Sequence, residues 1–188
     1  MWVIQSIFLG VSLAMDASAV SMTNGLMEPK MKKSKMLLIA LMFGIFQGVM
    51  PLLGYLFGSI FSKWIEDAIS IIGFVILAFL GAKMIYGAIK HSEDDENKPL
   101  TFKTIFIQAI ATSIDALTVG VVYVGSDIVE VYVTFLLIAV ITSLLCFIAI
   151  LIGKKFGDKL SNKAEIFGGV ILIAIALKIL IEYITTIL

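Results

Sequence analysis

The sequence predicts an all-α integral membrane protein of six transmembrane helices, arranged as two inverted-topology three-helix repeats. Three observations predict it. The first is composition: of 188 residues 60% are hydrophobic and only 15% charged, with mean hydropathy +1.08. Soluble domains run at about 45–50% apolar and about 25% charged. The second is a series of apolar runs, each near the roughly 20 residues that cross a bilayer as a helix. The third is a likeness between the two halves of the chain.

The runs cover approximately 3–24, 36–58, 68–89, 103–123, 131–153 and 165–187. The first lacks a basic leader, is longer than the apolar core of a signal peptide and contains Asp16, so it reads as a mature transmembrane helix. The second carries Gly44 and Gly48, then Gly54 and Gly58, two small-xxx-small patterns that permit close helix approach. Pro51 lies between them, as a kink or as a break that frees a backbone carbonyl. The third ends at a polar stretch, HSEDDENKP (91–99), expected to be a solvated loop. The fourth contains Asp115, the fifth the single Cys146, and the sixth Lys178 with Glu182 one turn on. One cysteine allows neither an intrachain disulfide nor a CxxC pair.

The basic residues are all lysines. Lys30, Lys32, Lys33, Lys35, Lys90, Lys98, Lys103, Lys154, Lys155, Lys159 and Lys163 follow the first, third and fifth runs, and only Lys63 lies on the other side. Cytoplasmic loops carry the lysine excess, so both termini are expected outside. The chain is expected to form one transmembrane domain: repeat one at 1–90, an acidic cytoplasmic linker at 91–99, and repeat two at 100–188.

The repeat is visible in three alignments. IGFVILAFLGAKM (72–84) matches FGGVILIAIALKI (167–179) at an offset of 95, pairing Gly73 with Gly168 and Lys83 with Lys178. LFGSIFSKW matches LIGKKFGDK, pairing Gly58 with Gly153. MDASAVS matches IDALTVG, pairing Asp16 with Asp115 at an offset of 99. Three helices per half is an odd number, so the second half must enter the membrane upside down. Inverted repeats of this kind are characteristic of transporters, with sites at the midplane between the repeats.

Asp16 and Asp115 lie about 12–13 residues into their runs, which is roughly 18–20 Å and near the centre of a core about 30 Å thick. A charged side chain there costs about 2.5–3.5 kcal/mol on insertion scales. Helical spacing places Ser12 and Thr23 on the Asp16 face, and Gln108, Thr112 and Thr118 near the Asp115 face. Gln47 lies midway along the second run, as a packing hydrogen bond or as a coordinating carbonyl. Carboxylate and carbonyl oxygens suit Mg, Ca and Mn, and two carboxylates balance one divalent cation. Lys178 and Lys83 are the available counter-ions, although Lys83 can snorkel to the interface and Lys178 can pair with Glu182. Metal binding at such carboxylates releases protons, a physical basis for proton exchange. An enzyme is not expected: no nucleophile–base pair clusters, and the only His is in a loop. Nor is a cofactor or a nucleic-acid partner expected; the expected partners are the bilayer and a divalent metal ion as substrate. No oligomeric state follows from the sequence.

MDASAVSMTNG (15–25), FGIFQGVMPLLGYLFG (43–58), AIATSIDALTVG (109–120) and KAEIFGGVILI (163–173) occur in order over nearly the whole chain. On these stretches the chain resembles the MntP family of bacterial manganese efflux pumps. The resemblance implies a six-helix exporter of Mn(II) in a bacterial plasma membrane, with Asp16 and Asp115 as its key acids. It departs from the family pattern at Ser18, commonly aromatic there, and at Cys146 and Ala149, commonly Ser and Gly. The residues alone leave other readings open. These are an exporter of another divalent cation or small solute, and a non-transporting membrane assembly protein in which the aspartates join helices.

Overall fold

The computed structural model describes residues 2–90, 100–160 and 164–187, with some side chains in 58–90, 157–160 and 164–187 outside the description. Among the described residues the secondary structure is helical, with no strand. The helices are α1 (Trp2–Met27), α2 (Lys33–Lys90), α3 (Phe102–Thr112), α4 (Ile114–Val122), α5 (Ile128–Leu160) and α6 (Ala164–Ile187). Four stretches are long and apolar enough to cross a bilayer: Trp2–Met27, Lys33–Phe57, Phe102–Val122 and Ile128–Phe156. Gly169–Lys178 is apolar but shorter. The chain is therefore a multi-pass membrane protein. The linker 91–99 and the side chains of Lys83 and Glu182 lie outside the described residues.

Two elements differ from the sequence expectation. The runs 36–58 and 68–89 are joined in one helix, α2, unbroken through 59–67. Hydropathy falls there because of Ser62, Lys63, Glu66 and Asp67, but from 59 to 72 there is no Gly or Pro to stop a helix. Conversely, the run 103–123 is divided at Ser113 into α3 and α4. No Gly or Pro marks that break. Thr112 and Ser113 stand at it: the Thr112 hydroxyl donates to the Gln108 carbonyl at 3.0 Å, and the Ser113 hydroxyl donates to the carbonyls of Ala109 and Ile110. The Ser113 N–H also turns back to the Ile110 carbonyl at 3.1 Å. Side chains that bond back to the preceding turn compete with the helical ladder and bend it.

The two halves pack through each other. α1 lies mainly along α5 and then α6, while α2 lies along α4, α5 and α6; α1 touches α2 little, and α5 touches α6 little. Glycines permit the close crossings. Gly25 meets Gly153 and the Ile150 carbonyl where α1 crosses α5, Gly54 meets Gly120 and the Leu117 carbonyl where α2 crosses α4, and Gly81 meets Gly169 where α2 crosses α6. Gly44 lies against Ala139 and Ser143 of α5, and Gly48 against Phe135 and Ala139. One apolar core gathers Ala17, Val20, Ile39, Phe43, Leu77, Ile150 and Leu172; a second gathers Leu13, Ala116, Val131, Phe135 and Ile138. The α1 faces carrying Leu13 and Ala17 thus fix Asp16 between the two.

One end of the molecule collects the lysine-rich segments. Glu28 pairs with Lys35 across the α1–α2 turn and accepts the Leu100 N–H at 3.2 Å. Lys154 Nζ donates to the Met31 carbonyl at 2.6 Å. At the other end, the hydroxyls of Ser6 and Thr134 meet at 2.8 Å.

Candidate metal centre

Asp16 sits in the unbroken middle of α1, and Asp115 in the first turn of α4, two residues past the break at Ser113. The Asp115 Oδ1 accepts the Ala116 N–H at 2.8 Å. A helix N-terminus favours negative charge within its first turn, so the break places a complementary dipole beside this carboxylate. The Ser113 hydroxyl is turned back to α3 and does not cap α4.

The two acids form one electrostatic unit with two further side chains. The neighbours acting on Asp115 are Asp16, Lys178 and the Gln47 side chain. Lys178 Nζ reaches both oxygens of Asp16, at 3.0 and 2.9 Å. The Asp16 side chain is 14% exposed and Lys178 48%. The Asp115 side chain has accessible surface in the first turn of α4.

Gln47 is fully buried. Its Nε2 donates to the Leu13 carbonyl at 3.3 Å, and its Oε1 has no partner. Pro51, four residues on and inside α2, carries no N–H for the Gln47 main-chain carbonyl. Gln47 thus has a side-chain oxygen without a partner and a main-chain carbonyl without its usual helical donor.

The other expected polar residues are spread more widely. Thr112 is buried but bonded back to its own helix, and Thr23 likewise donates to the Ala19 carbonyl at 3.1 Å. Ser12 and Thr118 are exposed. Gln108 is buried away from the carboxylates, its Oε1 accepting from Asn24 Nδ2 at 2.8 Å. Among the described residues no three His, Cys, Asp or Glu side chains come together. A cavity of about 510 Å³ opens between α2 and α5, lined by Leu37, Gly44, Ile45, Val140 and Phe147 among others; neither carboxylate lines it.

Sequence reasoning missed several participants. The Ser113 break gave no hydropathy signal, though a Thr-Ser pair two residues ahead of an intramembrane acid was a usable one. Asn24, buried and held by Gln108, is uncharged and so gives no hydropathy signal. Thr142 is fully buried with an unpartnered Oγ1, and it is the residue 95 positions after Gln47. The repeat offset alone would have found it.

Comparison with known proteins bears on the whole chain. Residues 30–180 match the family model "Mntp: Putative manganese efflux pump". A curated relative from Rippkaea orientalis, named "Putative manganese efflux pump MntP", is 46% identical over 178 residues, covering 93% of this chain and 94% of its own. One from Clostridium botulinum (strain Hall), "Putative manganese efflux pump MntP 2", is 42% identical over 191 residues, covering 96% and 94%. A Clostridium perfringens (strain 13) relative bearing the MntP name is 40% identical over 209 residues, covering 97% and 96%. No solved structure matches. With a family model over most of its length and relatives at this identity end to end, the chain belongs to the MntP family.

Proposed function

We propose that the protein exports Mn(II) across the bacterial plasma membrane, holding the ion between Asp16 and Asp115 and exposing it alternately to each side. The observation that carries this reading is that the Asp16 and Asp115 carboxylates, on α1 and at the α4 N-terminus, lie near enough to repel each other, with the amide of Gln47 beside Asp115. Two like charges repel, and a divalent cation removes the repulsion by bonding both. Hard oxygen donors fit Mn(II), and the relatives' names agree on manganese. Lys178 occupies Asp16 in place of the ion. It acts as a tethered cation that keeps the empty site near neutrality and that the incoming metal displaces. Protons are the counter-substrate: carboxylates that take protons when empty release them on binding metal.

Alternation follows from six spans in two inverted repeats. Under this reading α2 contains two spans, with the polar stretch near Lys63 and Glu66 between them, and the second half provides three through α3–α4, α5 and α6. The contact of Gly44 and Gly48 with α5 supports it. At the offset of 95, Gly44 corresponds to Ala139 and Gly48 to Ser143. Gly44 touches Ser143 and Gly48 touches Ala139. Each contact is the image of the other, as an internal two-fold axis requires. The asymmetry is informative too: α4 is broken at Ser113, whereas the matching Ala14 in α1 has no hydroxyl to bend its helix. Exchanging such local differences between halves is how an inverted repeat reaches its second state. The interleaved packing of α1 on α5 and of α2 on α4 and α6 supports reading the two repeats as a single domain. The convergence of Lys35, Lys154 and the start of α3 at one end is consistent with a cytoplasmic face there and termini outside.

Flux into proteoliposomes tests the reading. Wild-type protein should move Mn(II) and acidify an unbuffered medium as metal binds. Asp16→Asn and Asp115→Asn should each reduce flux to near background while the protein still elutes as a folded species. The Lys178–Asp16 pair is also what a purely structural role would show. That role predicts lower thermal stability in Asp16→Asn and no stabilisation of the wild type by Mn(II).

A further inference from the structure

Thr142 of α5 is fully buried, and its Oγ1 has no hydrogen-bond partner. Hydroxyls inside a helix commonly bond back to the preceding turn. Ser143, next to it, does so on the Ala139 carbonyl at 2.9 Å, as Thr23 and Thr112 do on their own helices. Buried polar atoms are nearly always satisfied. An unbonded hydroxyl at this depth therefore points to a partner that this arrangement of helices does not bring to it.

The neighbours of Thr142, one turn away on either side, place it. Ile138, Thr142, Cys146 and Ile150 form one fully buried stripe along α5. Gly10 of α1 lies against Ile138, Ser18 and Ser21 hydrogen-bond the Cys146 thiol, and Gly25 lies against Ile150. Thr142 is thus on the α1-facing stripe, between the levels of Gly10 and Ser18 and so level with Ala14. Gln47 of α2 reaches the same level of α1, where it bonds the Leu13 carbonyl.

The repeat gives that level its meaning. An offset of 99 relates Ser21 to Gly120, and an offset of 95 relates Pro51 to Cys146 and Tyr55 to Ile150. Ser21 bonds Cys146, and Gly120 lies against Pro51 and Tyr55. The crossing of α1 with α5 is therefore the image of the crossing of α4 with α2. The same offsets relate Gln47 to Thr142, Ala14 to Ser113 and Asp16 to Asp115. Gln47 acts on Asp115 where the helix is broken at Ser113. Its image has no such break. In the unbroken α1, Asp16 stands about 200° around the helix from Ala14, and it meets Lys178 of α6 instead.

We infer that Thr142 is the positioning residue for Asp16 in the opposite access state. There α1 opens at Ala14, α3 and α4 straighten, and the Thr142 hydroxyl donates to the Asp16 carboxylate as the Gln47 amide serves Asp115 here. The inference rests on the alternating-access reading of export.

The test is Mn(II) flux by the full chain in proteoliposomes of uniform orientation, with the half-saturating concentration measured at each face. Thr142→Val keeps the shape and removes the hydroxyl. It should raise half-saturation about tenfold at one face, the loss of one hydrogen bond to a charged group, and leave the other face within about twofold. Gln47→Leu should do the same at the opposite face. Thr142→Ser should restore the wild-type values. The melting temperature of Thr142→Val in detergent should be unchanged or raised, because a buried hydroxyl without a partner is a cost that the methyl group removes. If that variant does not fold, Thr142→Ala against Thr142→Ser makes the same comparison at smaller volume. A hydroxyl that only packs would instead give similar half-saturation at both faces. No change at either face, or an equal change at both, overturns the inference while a transporting wild type leaves the export reading standing. A wild type that moves no Mn(II) sinks the export reading and this inference together.

Discussion

At the scale of residues, the account rests on what each oxygen near Asp16 and Asp115 lacks. Gln47 has an unpartnered Oε1 and a main-chain carbonyl that Pro51 leaves without its usual donor. Asp16 has Lys178, and Asp115 has the Ala116 N–H. Lys178→Gln should therefore lower thermal stability, because it leaves the Asp16 carboxylate in the membrane without its counter-ion. It should also tighten Mn(II) binding by roughly three- to tenfold, since a competing charge is gone; calorimetric titration and thermal melts would separate the two effects. Much of this residue layer was legible in the sequence. Carboxylates deep in apolar runs are conspicuous because hydrocarbon makes them expensive; Lys178 pairs with Asp16, and Asp115 lies near enough to feel both charges. Spacing along one helix failed where it had to choose among hydroxyls. Thr23 and Thr112 satisfy themselves on their own backbone, and periodicity does not register that.

Among the elements, the informative feature is the interruption between α3 and α4. Ser113 sits in it, its hydroxyl on two carbonyls of the preceding turn. Ser113→Ala should let the helix run through, leaving thermal stability nearly unchanged or slightly raised while Mn(II) flux falls, because the α4 dipole no longer ends beside Asp115. A rise in flux would show that the break has no part in transport. The glycine crossings belong to the same scale. Gly120 faces the Pro51 carbonyl and the Tyr55 N–H with no room for a side chain. Gly120→Val should destabilise the protein by about 1–3 kcal/mol through overpacking, read as a lowered melting temperature in detergent, whereas Gly125→Ala, in open space at φ +91°, should cost only the strain of a left-handed backbone, of order 1 kcal/mol. Element boundaries were harder to read than element existence. Hydropathy marks where lipid contact ends, not where hydrogen bonding ends, so α2 continues through 59–67 and α3 stops in mid-run.

On the scale of the whole molecule, the halves are threaded through each other: α1 packs on α5, and α2 on α4 and α6. Neither half has a core of its own, which is why the sequence repeat matters more than either half's hydropathy. The offset of 95 was read from apolar matches and glycines, yet it also relates Gly44 and Gly48 to the two α5 residues they touch. Orientation gives a further test. A single cysteine placed at Lys30 or Lys155, in a Cys146→Ala chain, should label only from the cytoplasmic side, and one at Asp127 only from outside. The central claim is that one Mn(II) ion bonds both Asp16 and Asp115. Anomalous diffraction from crystals grown with Mn(II) tests it most directly. The account predicts a single strong peak within coordination distance of both carboxylates, about 2–2.6 Å, with Lys178 withdrawn from Asp16. A strong peak elsewhere, with the Lys178–Asp16 pair intact, would contradict it.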